Sequence, residues 1–107
     1  MRYHSTRSLQ DTVSGREAVF RGLAPDGGLY VTDRLNSTRI DPAVYETGAG
    51  SYAATARAVL GALLDDFTED EIRVSVENAY GSMFSSALVT PVPALGDMHL
   101  LELYHGP

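Results

Sequence analysis

The 107-residue sequence has no cysteine and no tryptophan, and its eight basic residues are all arginine, so it has no lysine either. Without cysteine there is no disulfide, no thiolate nucleophile and no thiolate-ligated zinc or iron–sulfur centre. That is compatible with a cytoplasmic protein, which needs no covalent staple. Without lysine the chain has no side-chain amine with which to form a Schiff base to a carbonyl group. No apolar run approaches the ~20 residues of a membrane span, and the start Met1-Arg2-Tyr3-His4 has no signal-peptide core, so no membrane association is expected. Basic charge is also scarce. The net charge is −6, the arginines are scattered singly, and nothing basic follows Arg73. A nucleic-acid binder needs a basic patch to displace phosphate counterions, so that class is excluded as an expectation.

What is present suits one folded domain, residues 1–107. The sequence is 44% apolar and 21% charged, ordinary for a globular chain. A chain of this length buries roughly 65% of its unfolded surface, which is one modest core.

Punctuation along the chain predicts the elements. Met1–Arg7 suits a short extended segment, and Ser8–Val13 reads as a polar connector. Ser14-Gly15-Arg16-Glu17 is a capping box opening a short helix whose apolar side is Ala18, Val19, Phe20 and Leu23, with Gly22 ending it in a left-handed conformation. Pro25-Asp26-Gly27-Gly28 is a turn feeding a strand at Leu29-Tyr30-Val31. Asp41-Pro42 starts a short helical turn through Val44 and Tyr45, which Gly48 and Gly50 break. From Ser51, the spacing of Tyr52, Ala56, Val59, Leu60, Leu63 and Leu64 predicts a helix with one buried stripe. Thr68-Glu69-Asp70-Glu71 is a second capping box, followed by the stripe Ile72, Val76, Ala79 and Tyr80 and a stop at Gly81. Met83, Phe84, Leu88 and Val89 are expected to be buried. Pro91 and Pro93 force an extended path. After a turn at Gly96-Asp97, Met98–Tyr104 reads as a strand buried on both faces. A buried strand running straight into His105-Gly106-Pro107 predicts that the domain belongs to a longer protein.

Few residues suggest chemistry by themselves. His4, His99 and His105 lack the close spacing of metal ligands, so no metal is expected. The acids Asp65, Asp66, Glu69, Asp70 and Glu71 read as helix-dipole complements on a solvated face. Gly27-Gly28 could cradle a phosphate through its amides or simply form a turn, and the turn is the simpler reading. Two apolar helical stripes and a doubly buried strand exceed what such a chain can cover, so some apolar surface should face a partner.

Four segments together resemble the N-terminal domain of threonine synthases and span essentially the whole chain. They are Tyr3-His4-Ser5-Thr6-Arg7; Glu17-Ala18-Val19 with Gly22 to Val31; Ser51-Tyr52 with Ala79-Tyr80; and Leu101-Glu102-Leu103-Tyr104-His105-Gly106-Pro107. The sequence departs from the family pattern at Ser8, Thr32 and Tyr104, where glycine, proline and phenylalanine are usual. These drifts also fit a diverged relative such as a cysteate synthase. The resemblance implies a fold-type II pyridoxal phosphate enzyme that converts O-phospho-L-homoserine and water to L-threonine and phosphate. In that family the lysine that holds the cofactor lies in a Phe-Lys-Asp motif just past His-Gly-Pro. This chain stops short of it, so the resemblance implies no catalytic residue and no bound cofactor here. It also makes the remainder of the synthase chain the expected partner. His105 and Gly106 would then approach the substrate, with Ser5, Thr6 and Arg7 as polar groups able to meet a phosphate or carboxylate.

The expected fold is α/β or α+β: two well-defined helices and one or two shorter ones against a small sheet of Leu29–Val31 and Met98–Tyr104. The expected function is that of a threonine synthase N-terminal domain, inactive when isolated. The alternative is a stand-alone, non-catalytic interaction module.

Overall fold

The computed structural model describes residues 1–46, 51–86 and 88–106. Gly48, Gly50 and Pro107, to which the sequence reading assigned roles, lie outside the described residues. The architecture is mixed α and β. Two strands, β1 (Arg2–Ser5) and β2 (Ser8–Ser14), are followed by α1 (Gly15–Arg21) and β3 (Tyr30–Val31). Then come α2 (Ala43–Glu46), α3 (Tyr52–Leu63), α4 (Glu69–Tyr80) and a small hairpin of β4 (Ala94–Leu95) and β5 (Met98–His99).

The main sheet differs from expectation. Its order is β2-β1-β3, all antiparallel, and Met98–Tyr104 has no part in it. The supposed connector Ser8–Val13 is a strand, in register with β1 as Tyr3 opposite Val13 and His4 opposite Thr12. Its polarity follows from its place at the sheet's edge: Leu9, Gln10, Asp11 and Thr12 are exposed and only Val13 is buried. An edge strand has no obligation to alternate, so no period of two advertised it. The register of the β1–β2 pair slips between His4 and Ser5, a bulge beside the two-residue turn of Thr6 and Arg7.

The C-terminal segment is the second departure. Only Met98 and His99 pair as strand, across the Gly96 turn, where φ is +62°. Beyond them the amides of Leu100 and Glu102 donate to the carbonyls of Pro93 and Pro91, both at 3.0 Å. Proline has no N–H to return the second bond of each pair, so the ladder stays one-sided. Leu100, Leu101, Leu103 and Tyr104 are 48%, 54%, 71% and 70% exposed, so this is not a doubly buried strand.

The helices follow the sequence closely. The Ser51 side chain caps α3, and the full Thr68–Glu71 capping box opens α4. At α1 the Ser14 hydroxyl accepts from the Glu17 amide as expected, while the Glu17 carboxylate takes the Arg21 guanidinium one turn on. Gly22 has φ +72° and ψ −70°, with the Leu23 amide donating to the Arg21 carbonyl. This is a γ-turn and not the left-handed cap expected, and it is tolerable because glycine lacks a Cβ.

The core is small. Val13, Ala18, Ala24, Ile72, Val76 and Val89 are its buried apolar residues. The predicted apolar side of α1 is largely open to solvent: Val19, Phe20 and Leu23 are exposed. No residue of α3 is fully buried, Ala79 of α4 is exposed, and of the four residues expected inside from 83 to 89 only Val89 is. Polar contacts tie the α3–α4 pair to β1 and α1. The Tyr3 hydroxyl donates to the Leu63 carbonyl at 2.5 Å, and the Arg16 amide donates to Asp66 Oδ2 at 2.8 Å. The Arg16 guanidinium lies 4.2 Å from the Phe67 ring centre and 2.7 Å from Glu71 Oε2. Asp66 thus caps α1 from fifty residues away, a role that its place in an acidic run concealed. The radius of gyration is 16.3 Å. A compact domain of this length has about 13 Å, so the chain does not close on itself.

Candidate functional site

The residues singled out from sequence gather in two clusters, and no hydrogen bond joins the two among the described residues. The first is the β1–β2 turn against the loop that precedes β3. The Ser5 hydroxyl, buried, donates to Asp26 Oδ1 at 2.7 Å and accepts the Arg7 amide at 3.1 Å. Thr6 makes a reciprocal pair with Leu29, its amide to the Leu29 carbonyl at 2.8 Å and its hydroxyl accepting the Leu29 amide at 3.1 Å. Arg7 Nη1 donates to the Asp26 carbonyl at 2.8 Å. The Ser5 hydroxyl and the Gly28 amide both donate to Asp26, and together they hold its carboxyl below the usual carboxylate range.

This geometry decides between the two readings of Gly27-Gly28. The Gly27 amide donates to the Ala24 carbonyl and the Gly28 amide to Asp26, so neither is free to cradle a phosphate. Gly28 is required for space: a Cβ there would collide with Ser5 Oγ and lie 3.0 Å from both Asp26 Oδ1 and Thr6 Oγ1. Beside this cluster opens a cleft of about 470 Å³, with Gln10, Asp11, Glu17, Arg21, Asp26 and Tyr30 on its walls. Next to Ser5, the buried His4 bridges the Ser5 carbonyl and Asp33, each at 2.9 Å, which raises the imidazole pKa. Sequence reasoning missed Asp26 and Asp33 as partners. A turn aspartate and a loop aspartate look alike until the sheet brings β1 beside them.

The second cluster surrounds the C-terminal candidates. His105 Nε2 lies 2.7 Å from Glu102 Oε2, and His105 Nδ1 lies 3.0 Å from Ser85 Oγ. The Ser85 amide donates to the His105 carbonyl at 3.1 Å. Gly106 is set against the Phe84 ring so closely that a Cβ would lie 2.8 Å from Phe84 Cε1. Phe84 in turn stacks on Tyr80, and Tyr80 on Tyr52, with ring centres 5.6 and 4.8 Å apart. Ser85 and Glu102 were not singled out beforehand, and no motif spacing could have linked 85 to 105. Among the described residues no group of three or more His, Asp or Glu is placed to hold a metal. No helix among them is long and apolar enough to cross a membrane.

The family model described as threonine synthase N terminus matches residues 2–80 of this chain. The chain belongs to that family. It is 33% identical to the threonine synthase of Methylobacillus glycogenes, with all of this chain and 24% of that protein aligned. It is 36% identical to the threonine synthase of Eremothecium gossypii, over 98% of this chain and 22% of that protein. The crystal structure of a pyridoxal phosphate-bound threonine synthase from Brucella melitensis superposes on the whole chain with a TM-score of 0.80 at 30% identity, using 23% of its own length. The family model reaches residue 80 and the superposition takes in the whole chain, which spans about a quarter of the length of these relatives.

Proposed function

We propose that this chain is the leading portion of a cytoplasmic, pyridoxal phosphate-dependent threonine synthase that converts O-phospho-L-homoserine and water to L-threonine and phosphate. The observation that carries the reading is coverage: the whole chain aligns with threonine synthases, yet it accounts for 24% and 22% of two of them. The unclosed shape agrees. A strip of exposed leucines and Tyr104 after β5, and the open side of α1 with Phe20 at 80% exposure, is the surface a larger body of the enzyme would cover.

The residues present do not supply a seat for the cofactor. Pyridoxal phosphate is held through a lysine amine and serves as an electron sink, and every basic residue here is arginine. No step through the cofactor is therefore assigned to this chain, and the isolated chain should turn over nothing. What its own residues offer is substrate contact. Arg7 spends Nη1 on the Asp26 carbonyl and keeps its other guanidinium donors for an anionic group such as the substrate phosphate. Ser5 and Thr6 hold the turn that presents Arg7. His105 and Gly106 form the second approach, anchored on Phe84 and Ser85.

The test is phosphate release from O-phospho-L-homoserine, with pyridoxal phosphate added. It is run on the 107-residue chain and on the protein translated from the complete source reading frame. Turnover by the longer protein and none by the shorter is the expected result. Turnover by the bare chain would overturn the assignment, and a reading frame without a downstream Phe-Lys-Asp segment would overturn it in favour of an interaction module that uses the same apolar strip.

A further inference from the structure

The pattern after β5 is inside-out. Leu101 and Leu103 face solvent, while Glu102 between them is drawn inward, its side chain only 18% exposed. Turning an acid in and two leucines out runs against the hydrophobic effect, so the acid must be held by specific partners. Those partners are the His105 ring and the Tyr104 hydroxyl. Their hydrogen bonds, His105 first, keep the Glu102 carboxyl below the usual carboxylate range, and an ionised carboxylate can only accept. His105 must then carry its proton on Nε2, which points at Glu102 at 2.7 Å. In the neutral ring Nδ1 is an acceptor, and the Ser85 hydroxyl stands 3.0 Å from it, nearer than the 3.5 Å to the His105 carbonyl. The Tyr104 ring, 4.7 Å from the imidazole centre, contacts the His105 ring as well.

We propose that Glu102 and Ser85 are positioning residues: they clamp the His105 imidazole in one tautomer and one orientation, and so aim the His105–Gly106 segment toward the reacting centre. The base-to-carboxylate and base-to-hydroxyl contacts are those by which an imidazole is oriented in acid–base sites generally. Here the clamp reaches across twenty residues of chain, from Ser85 just past α4 to His105. It is backed by the Ser85 amide on the His105 carbonyl and by Gly106 on Phe84. The clamp stands on its own contacts, whereas its role in aiming the segment rests on the threonine synthase reading above.

Two measurements test it. In the ¹⁵N-labelled 107-residue chain, the His105 Nε2–H proton should give a resolved imidazole signal, because the bond to Glu102 shields it from exchange. Glu102→Ala should abolish that signal while leaving the amide spectrum otherwise in place, and Ser85→Ala should keep it. A wild-type chain without the signal, or a Glu102→Ala chain that retains it, overturns the clamp. In the full-length enzyme Glu102→Ala should lower kcat by up to about 10²-fold, the cost of misplacing a reacting segment by an ångström, with KM little changed. Unchanged kcat overturns the positioning role. If the unaltered full-length enzyme releases no phosphate from phosphohomoserine, the proposed function fails, while the imidazole signal still decides the clamp.

Discussion

Gly28→Ala is the sharpest perturbation of the first cluster. The new methyl would be forced onto Ser5 Oγ, with Asp26 Oδ1 and Thr6 Oγ1 at 3.0 Å leaving no side to retreat to. Overpacking of this kind costs about 1–3 kcal/mol. Moving Ser5 away also breaks its bond to Asp26 and leaves a hydroxyl that is 4% exposed without its acceptor. A buried hydroxyl without its partner adds about 1–3 kcal/mol. Loss of glycine freedom in the unfolded chain returns only about 0.4–1 kcal/mol. The net expectation is a destabilisation of about 1–6 kcal/mol, a large part of the ~5–15 kcal/mol typical of a domain. In equilibrium urea unfolding, with m about 2 kcal/mol/M, the midpoint should fall by about 0.5–3 M. Gly61→Ala is the matched control. Gly61 lies in α3 with nothing within 4 Å of its would-be Cβ. Alanine there should raise stability by about 0.5–1 kcal/mol. A Gly28→Ala midpoint equal to wild type, or equal losses at both positions, would refute the argument that Ser5 and Asp26 are locked against Gly28.

Two further predictions concern pH. Glu71 is pulled down from 4.5 to about 2 by the Arg16 guanidinium and by the Thr68 amide and hydroxyl. A lowered folded pKa stabilises above the unfolded value, so this contribution should be full above about pH 4.5 and fade as pH falls toward 2. Arg16→Ala should flatten the urea midpoint against pH across that window, and a slope equal to wild type would contradict it. His4 shifts the other way: the Ser5 carbonyl and Asp33 raise its pKa above 6.5. A raised folded pKa stabilises below 6.5, and the gain is lost as pH rises through the folded value. The stability advantage of wild type over His4→Gln should therefore be largest below pH 6.5 and shrink above it, and an advantage that grows with pH would exclude the bridge to Asp33.

The first candidate cluster was visible in sequence as isolated letters, without its wiring. Ser5, Thr6 and Arg7 stood out as polar groups on a short extended segment, and Asp26-Gly27-Gly28 as a turn. That the turn amides are used internally, and that Ser5 is the group against which Gly28 must be small, required the pairing of β1 with β3. At the other end His105 and Gly106 stood out only through the family resemblance, and their anchors Ser85, Phe84 and Glu102 through nothing local.

What the sequence determined by itself was what a few neighbouring residues decide among themselves. A hydroxyl three residues before a glutamate caps a helix wherever the helix lands, and so the starts at Ser14 and Thr68 were legible, while the start at Ser51 was legible from the apolar stripe that follows it. Helical periodicity and the Pro25–Val31 turn are equally local, and the missing lysine excludes covalent tethering of pyridoxal phosphate by this chain. Tertiary structure decided whatever depends on which surface meets which. It made the polar run Ser8–Ser14 an edge strand and turned Asp66 into the cap of a distant helix. It left the leucines after β5 in solvent, because no described segment packs over them. Burial and pairing are properties of two segments at once, and no window along one of them contains the other.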